Sequence, residues 1–95
     1  MRESKIEAEL RKSCLKNGYK TYKLQGVGVK NAPDRIILQP HGRAFFVECK
    51  APGEVPNAAQ LREHTRLKRL GFDVYILDTM EDIPLMMEAQ KLRKL

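Results

Sequence analysis

Between Ser4 and Lys16 the apolar positions Ile6, Leu10 and Cys14 recur every four residues, the spacing of a helix with one buried stripe. Asn17-Gly18 supplies a left-handed stop. Tyr19 to Gln25 has the Tyr and Thr content of a strand, and Gly26 to Pro33 reads as a loop ending on a proline. Asp34 to Gln39 is a second strand centred on Ile36-Ile37-Leu38. Pro40-His41-Gly42 is a turn, so Arg43 to Lys50 returns antiparallel as the other arm of a hairpin, and Ala51-Pro52-Gly53 ends it. Asn57 caps a second helix running through Leu61, Leu67 and Leu70 to Gly71. Asp73 to Asp78 is a fourth strand, with Val74, Ile76 and Leu77 as its apolar part. Glu81 to Leu95 is a last helix, capped by Thr79 or Asp78, with Pro84 tolerated in its first turn.

The order helix, three strands, helix, strand, helix predicts an α/β sandwich around a mixed sheet, because a strand-helix-strand crossover usually joins parallel strands. The 95 residues are expected to form one domain, 1–95. A chain of this size buries only about 60–65 % of the surface its unfolded form exposes, so a partner surface would help it. Eighteen Lys and Arg against twelve Asp and Glu give a formal charge of +6 and a pI near 9.6, a balance suited to a polyanion. No apolar run approaches the roughly 20 residues that span a bilayer, and no signal-peptide core follows Met1, which excludes membrane insertion and gives secretion no support. Cys14 and Cys49 have neither metal-site spacing nor the density of a disulfide scaffold, and read as reduced thiols of a cytoplasmic protein.

Candidate chemistry gathers at the hairpin. Strands alternate faces, so Glu48 and Lys50 share a side with Ala44 and Phe46, while Phe45, Val47 and Cys49 take the other. Asp34 begins the partner strand, which places it beside the end of the next. Two converging carboxylates and a lysine suit metal-assisted phosphoryl transfer, since magnesium takes one or two carboxylates and keeps several waters. The plainer reading is a surface cross-strand ion pair. On the first helix, Glu3 and Glu7 fall beside the apolar stripe and Glu9 well outside it. Either they point toward a cation or they sit at the stripe's edge near the helix N-terminus, where negative charge is favoured.

Pro33-Asp34 followed by Glu48-Cys49-Lys50 resembles the PD-(D/E)XK nuclease signature. The surrounding pattern resembles the VRR-Nuc branch of that superfamily: Glu3-Ser4-Lys5-Ile6-Glu7, Asn17-Gly18, Ala32-Pro33-Asp34-Arg35-Ile36, Gly42-Arg43, Phe46 through Gly53, Gln60 and Leu70-Gly71. The match spans nearly the whole chain and is similar to stand-alone VRR-Nuc proteins of bacteriophages. It departs from the family's usual residues at Asn57, where a serine or threonine is common, and at Cys49, where an aliphatic residue is. The resemblance implies a restriction-endonuclease-like αβββαβ core and a Mg2+- or Mn2+-dependent DNA endonuclease. It assigns Asp34 and Glu48 as metal ligands, Cys49 as a carbonyl donor to the metal, and Lys50 as the catalytic lysine. A first-helix acid would also reach the metal, Glu7 as first choice by its distance to Asn17-Gly18 and Glu3 as the alternative. Gln60 would lie beside the site, helping to position lysine, water or phosphate.

Lys23, Lys30 and Arg35 flank this site and are candidate DNA-phosphate contacts, and Arg62, Arg66, Lys68 and Arg69 crowd the second helix as a second basic face. His41 and His64 have no partner at ligand spacing and read as structural or solvent-facing; Met80, Met86 and Met87 read as core or interface filling. The tail from Leu85 carries enough apolar residues to serve a partner or to fold back onto the sheet. The resemblance favours a homodimeric Holliday-junction resolvase in the host cytoplasm. The alternatives are a flap or nicking nuclease, or a non-catalytic DNA-binding subunit of the same fold.

Overall fold

The computed structural model describes residues 2–24 and 30–93. Met1, residues 25–29 and residues 94–95 lie outside it, and with them the expected end of the first strand, part of the loop and the end of the last helix. The elements are α1 (Glu3–Lys16), β1 (Lys20–Lys23), β2 (Arg35–Gln39), a 3-10 turn (Pro40–Gly42), β3 (Arg43–Cys49), α2 (Ala58–Arg69), β4 (Val74–Leu77) and α3 (Asp82–Leu92). They come in the expected order, with the strands one or two residues shorter at their ends.

The sheet is ordered β1-β2-β3-β4, antiparallel across the first three strands and parallel between β3 and β4. The crossover that makes β4 parallel is α2. Both α1 and α2 end in the same way. Gly18 and Gly71 adopt φ of 74° and 98°, a conformation that costs a glycine nothing. The following amides of Tyr19 and Phe72 reach back to the carbonyls of Cys14 and Leu67, which satisfies the last turn of each helix.

The core lies on one face of the sheet, where α1 and α3 pack against each other and against the strands. Ile6, Leu10 and Cys14 of α1 meet Ile37, Phe45, Val47, Cys49 and Leu77 of the sheet and Ile83, Met86 and Met87 of α3. The predicted α1 stripe and the β3 alternation are both visible in that set. Met86 and Met87 fold back onto the chain's own sheet, while Leu85 and Leu92 of the same helix are 68 % and 60 % exposed. The expected cap of α3 is not made: Glu81 is the capping residue without a side-chain bond, and Asp78 instead accepts from the Gly53 amide at 3.4 Å.

On the opposite face α2 packs thinly. Of the leucines expected along it, Leu61 and Leu70 are 46 % and 74 % exposed and Leu67 is half-buried, and its one buried side chain is His64. The inward line runs through Gln60, His64 and the expected Leu67, at spacing i, i+4, i+7. His64, expected at the surface or as a bystander, is 2 % exposed. Asn57 caps α2 as expected, and the cap is reciprocal: its side chain accepts from the Gln60 amide at 2.8 Å, while the Gln60 side chain accepts from the Asn57 amide at 2.9 Å.

Candidate active site

Register brings the two acids together. Arg35 of β2 stands opposite Val47 of β3, so the residue before Arg35 meets the residue after Val47, and Asp34 lies beside Glu48. The Cys49 amide donates to Asp34 Oδ2 at 2.7 Å, which fixes Asp34 against the end of β3. The Lys50 amide donates to the Leu77 carbonyl at 2.8 Å, so the parallel strand β4 holds the lysine's backbone. The site therefore forms where the carboxyl ends of the two parallel strands meet the start of β2. Glu48, on the α2 side of the sheet, is 1 % exposed, and His64 Nε2 is 3.2 Å from its Oε1.

Burial pushes the Glu48 carboxyl up to about 8, with the charge of Asp34 and a hydrogen bond to it adding to the shift and Lys50 opposing it. Glu3 is also raised, by burial first and then by Asp34, with Glu54 and Glu7 adding and Lys50 opposing. His64 is lowered, by burial first and then by Lys68, and is held as a neutral imidazole. Burial, aided by Asp34, Glu7 and Glu3, pushes the Cys49 thiol up to about 12, which removes it as a nucleophile. The mouth of the site is thus acidic, in a protein whose formal charge is +6.

Two neighbouring carboxylates, one of them buried and raised by the charge of the other, are the kind of donor set a hard cation takes. Among the described residues, no group of three or more His, Cys, Asp and Glu side chains stands ready to hold a metal. The pair Asp34–Glu48 could hold such a cation, and its chemistry fits magnesium, which takes one or two carboxylates and retains water.

The two α1 acids have different surroundings. Glu7 Oε1 is 3.0 Å from Arg35 Nε and 3.5 Å from Lys23 Nζ, so it is engaged by two cations on the core side of the sheet. Glu3 lies in the field of Asp34, Lys50 and Glu54. Arg35, expected to contact DNA phosphate, is 8 % exposed and bonds Glu7 and, at 3.4 Å, Thr21 Oγ1. Its place on β2 turns it inward, where it serves the fold. Lys30 is exposed, and Lys23 is half-exposed beside Glu7. Gln60 is one turn of α2 before His64, with its amide oxygen committed to the helix cap. His64 is the site residue that sequence reasoning passed over; its spacing of four from Gln60 was the available signal.

No protein-family model matches the chain. Over 81 residues, 85 % of this chain and 87 % of the relative, it is 46 % identical to a protein of Acyrthosiphon pisum secondary endosymbiont phage 1 named "Putative nuclease p44". A solved structure described as a VRR_NUC domain superposes with a TM-score of 0.83 at 28 % identity, covering 90 % of this chain and 94 % of that one.

Two predictions follow from the charges. Glu7→Gln leaves the buried Arg35 without its carboxylate and lowers unfolding free energy by about 2 kcal/mol, whereas Glu3→Gln changes it by less than about 0.5 kcal/mol, both read by urea denaturation. The second concerns pH. Below about pH 4.5 Glu48 is protonated in both folded and unfolded chains; above it the unfolded chain releases a proton that the folded one keeps until about pH 8. Stability of the metal-free protein therefore falls as pH rises across that window, and Glu48→Gln flattens the fall in denaturation curves taken at each pH.

Proposed function

Since this chain belongs to the VRR-Nuc family of phage nucleases, we propose that it is a metal-dependent endonuclease that hydrolyses DNA phosphodiesters. The observation that supports this reading most directly is the meeting of Asp34 with the buried Glu48 at the end of β3, one residue short of Cys49 and two short of Lys50. Asp34 and Glu48 would hold Mg2+ or Mn2+, with the Cys49 carbonyl as a third donor. When bound, such an ion supplies Lewis-acid chemistry to a phosphodiester. Lys50, held by β4 through its backbone, orients the attacking water or offsets charge developing on phosphorus. Of the α1 acids, Glu3 is the one assigned to the metal site, because Glu7 is engaged by Arg35 and Lys23. Gln60 contributes by capping the helix that carries His64.

DNA approaches a site whose own mouth is acidic, so the basic residues around it do the attracting. Lys23, Lys30 and the exposed Arg62, Arg66, Lys68 and Arg69 of α2 are the candidates for phosphate contacts. The preferred substrate is branched DNA, a Holliday junction above all, cut by a homodimer of this single 95-residue domain. The exposed Leu85 and Leu92 on α3 and the 41 % exposed Ile76 on the edge strand β4 offer apolar surface for a second copy. Among the described residues no helix is long and apolar enough to cross a membrane, and the host cytoplasm is the expected compartment.

The test is incubation of the purified protein with a labelled four-way junction, a flap and a plain duplex, with and without Mg2+ or Mn2+. The expected result is metal-dependent cutting of the junction at symmetric positions, reduced at least about 1,000-fold in Asp34→Ala and Lys50→Ala. Cutting of flaps or duplex alone would keep the chemistry and remove the junction assignment. Tight binding with no cleavage would make the chain a non-catalytic DNA-binding subunit.

A further inference from the structure

The one side chain that α2 buries is polar, and it is aimed at the site. His64 is 2 % exposed, while Leu61 of the same helix and Leu70 at its end face solvent and Leu67 is only half-buried. A helix that merely covered a sheet would bury those leucines, because an imidazole taken out of water costs free energy unless it is hydrogen-bonded. His64 Nε2 and Glu48 Oε1 share a hydrogen bond at 3.2 Å. Glu48 is equally secluded, 1 % exposed, so each group is the other's compensation for burial.

We propose that His64 is a positioning residue that fixes the orientation of Glu48, so that the carboxylate is presented to the metal together with Asp34. This rests on the reading of Asp34 and Glu48 as metal ligands. The residue type matters. A lysine or arginine at this place would neutralise Glu48 and compete with the cation for it. A neutral imidazole donates one N–H to the ionised carboxylate and leaves its negative charge to the ion. The arrangement also couples the site to α2: the capping box at Asn57 and Gln60 fixes the first turn of the helix, and His64 follows one turn later.

The experiment uses the full chain and Mn2+ as probe, with affinity measured by isothermal titration calorimetry. Four variants are compared with the natural protein: His64→Leu, His64→Asn, His64→Gln and Asp34→Asn. A glutamine amide reaches about as far as Nε2, whereas an asparagine amide stops near Nδ1. The proposal expects His64→Leu and His64→Asn to weaken Mn2+ binding by about 10–100-fold with an unchanged far-UV circular dichroism spectrum, and His64→Gln to stay within about 3-fold of the natural protein. If His64→Leu does not fold, the contrast between Gln and Asn decides. Equal affinity across the His64 variants, or a Gln variant as weak as the Asn variant, overturns the positioning role. An Asp34→Asn variant that binds Mn2+ as well as the natural protein, or a natural protein that binds none, overturns the metal-site reading beneath it; loss in Asp34→Asn with intact His64 variants overturns the positioning role alone.

Discussion

A carboxyl group enclosed between a sheet and a helix is the constraint around which this protein is arranged. Glu48 is 1 % exposed, and a carboxylate so placed must be protonated, hydrogen-bonded or matched by a cation. In the metal-free chain the first two apply: its proton affinity is raised by burial and by Asp34, and His64 lies 3.2 Å away. A divalent ion supplies the third. On the proposed reading, the fold tolerates an unfavourable group at the one place where a cation would be held.

That constraint explains the asymmetry of the two faces. The face under α1 and α3 is a closed apolar core from Ile6 to Met87. The contacts across the face under α2 include the Glu48–His64 bond and the edge-to-face pair of Phe46 with Phe72 at 5.4 Å. Stability comes mainly from the first face and chemistry is gathered at the margin of the second. The Arg35–Glu7 pair lies on the core side. It belongs to the fold, and by engaging Glu7 it leaves Glu3 as the α1 acid exposed to the field of Asp34.

Local signals carried most of the fold. The Ile6–Leu10–Cys14 stripe, the alternation along Phe45–Cys49 and the glycines at 18 and 71 each act within one element, and each appears in the structure where its spacing put it. Asp34, Glu48 and Lys50 were legible too, because hairpin geometry alone brings a strand's start beside its neighbour's end. What was not legible depends on contacts between distant elements. That Glu7 is engaged depends on Arg35, 28 residues beyond it. His64 escaped because helical periodicity ranks leucines as inward residues, and only the tertiary position of Glu48 makes a histidine the better occupant. The dual duty of Gln60 could have been read from its spacing of three from Asn57, the signature of a reciprocal cap.

The central claim, that Asp34 and Glu48 together hold a divalent cation, is tested most directly by a crystal structure of the protein soaked in Mn2+, with an anomalous difference map. The account predicts a peak at roughly 2.0–2.3 Å from a carboxylate oxygen of each, with the Cys49 carbonyl among its neighbours. A peak bound elsewhere on the chain, or an ordered Asp34–Glu48 pair with no peak in saturating Mn2+, would contradict it.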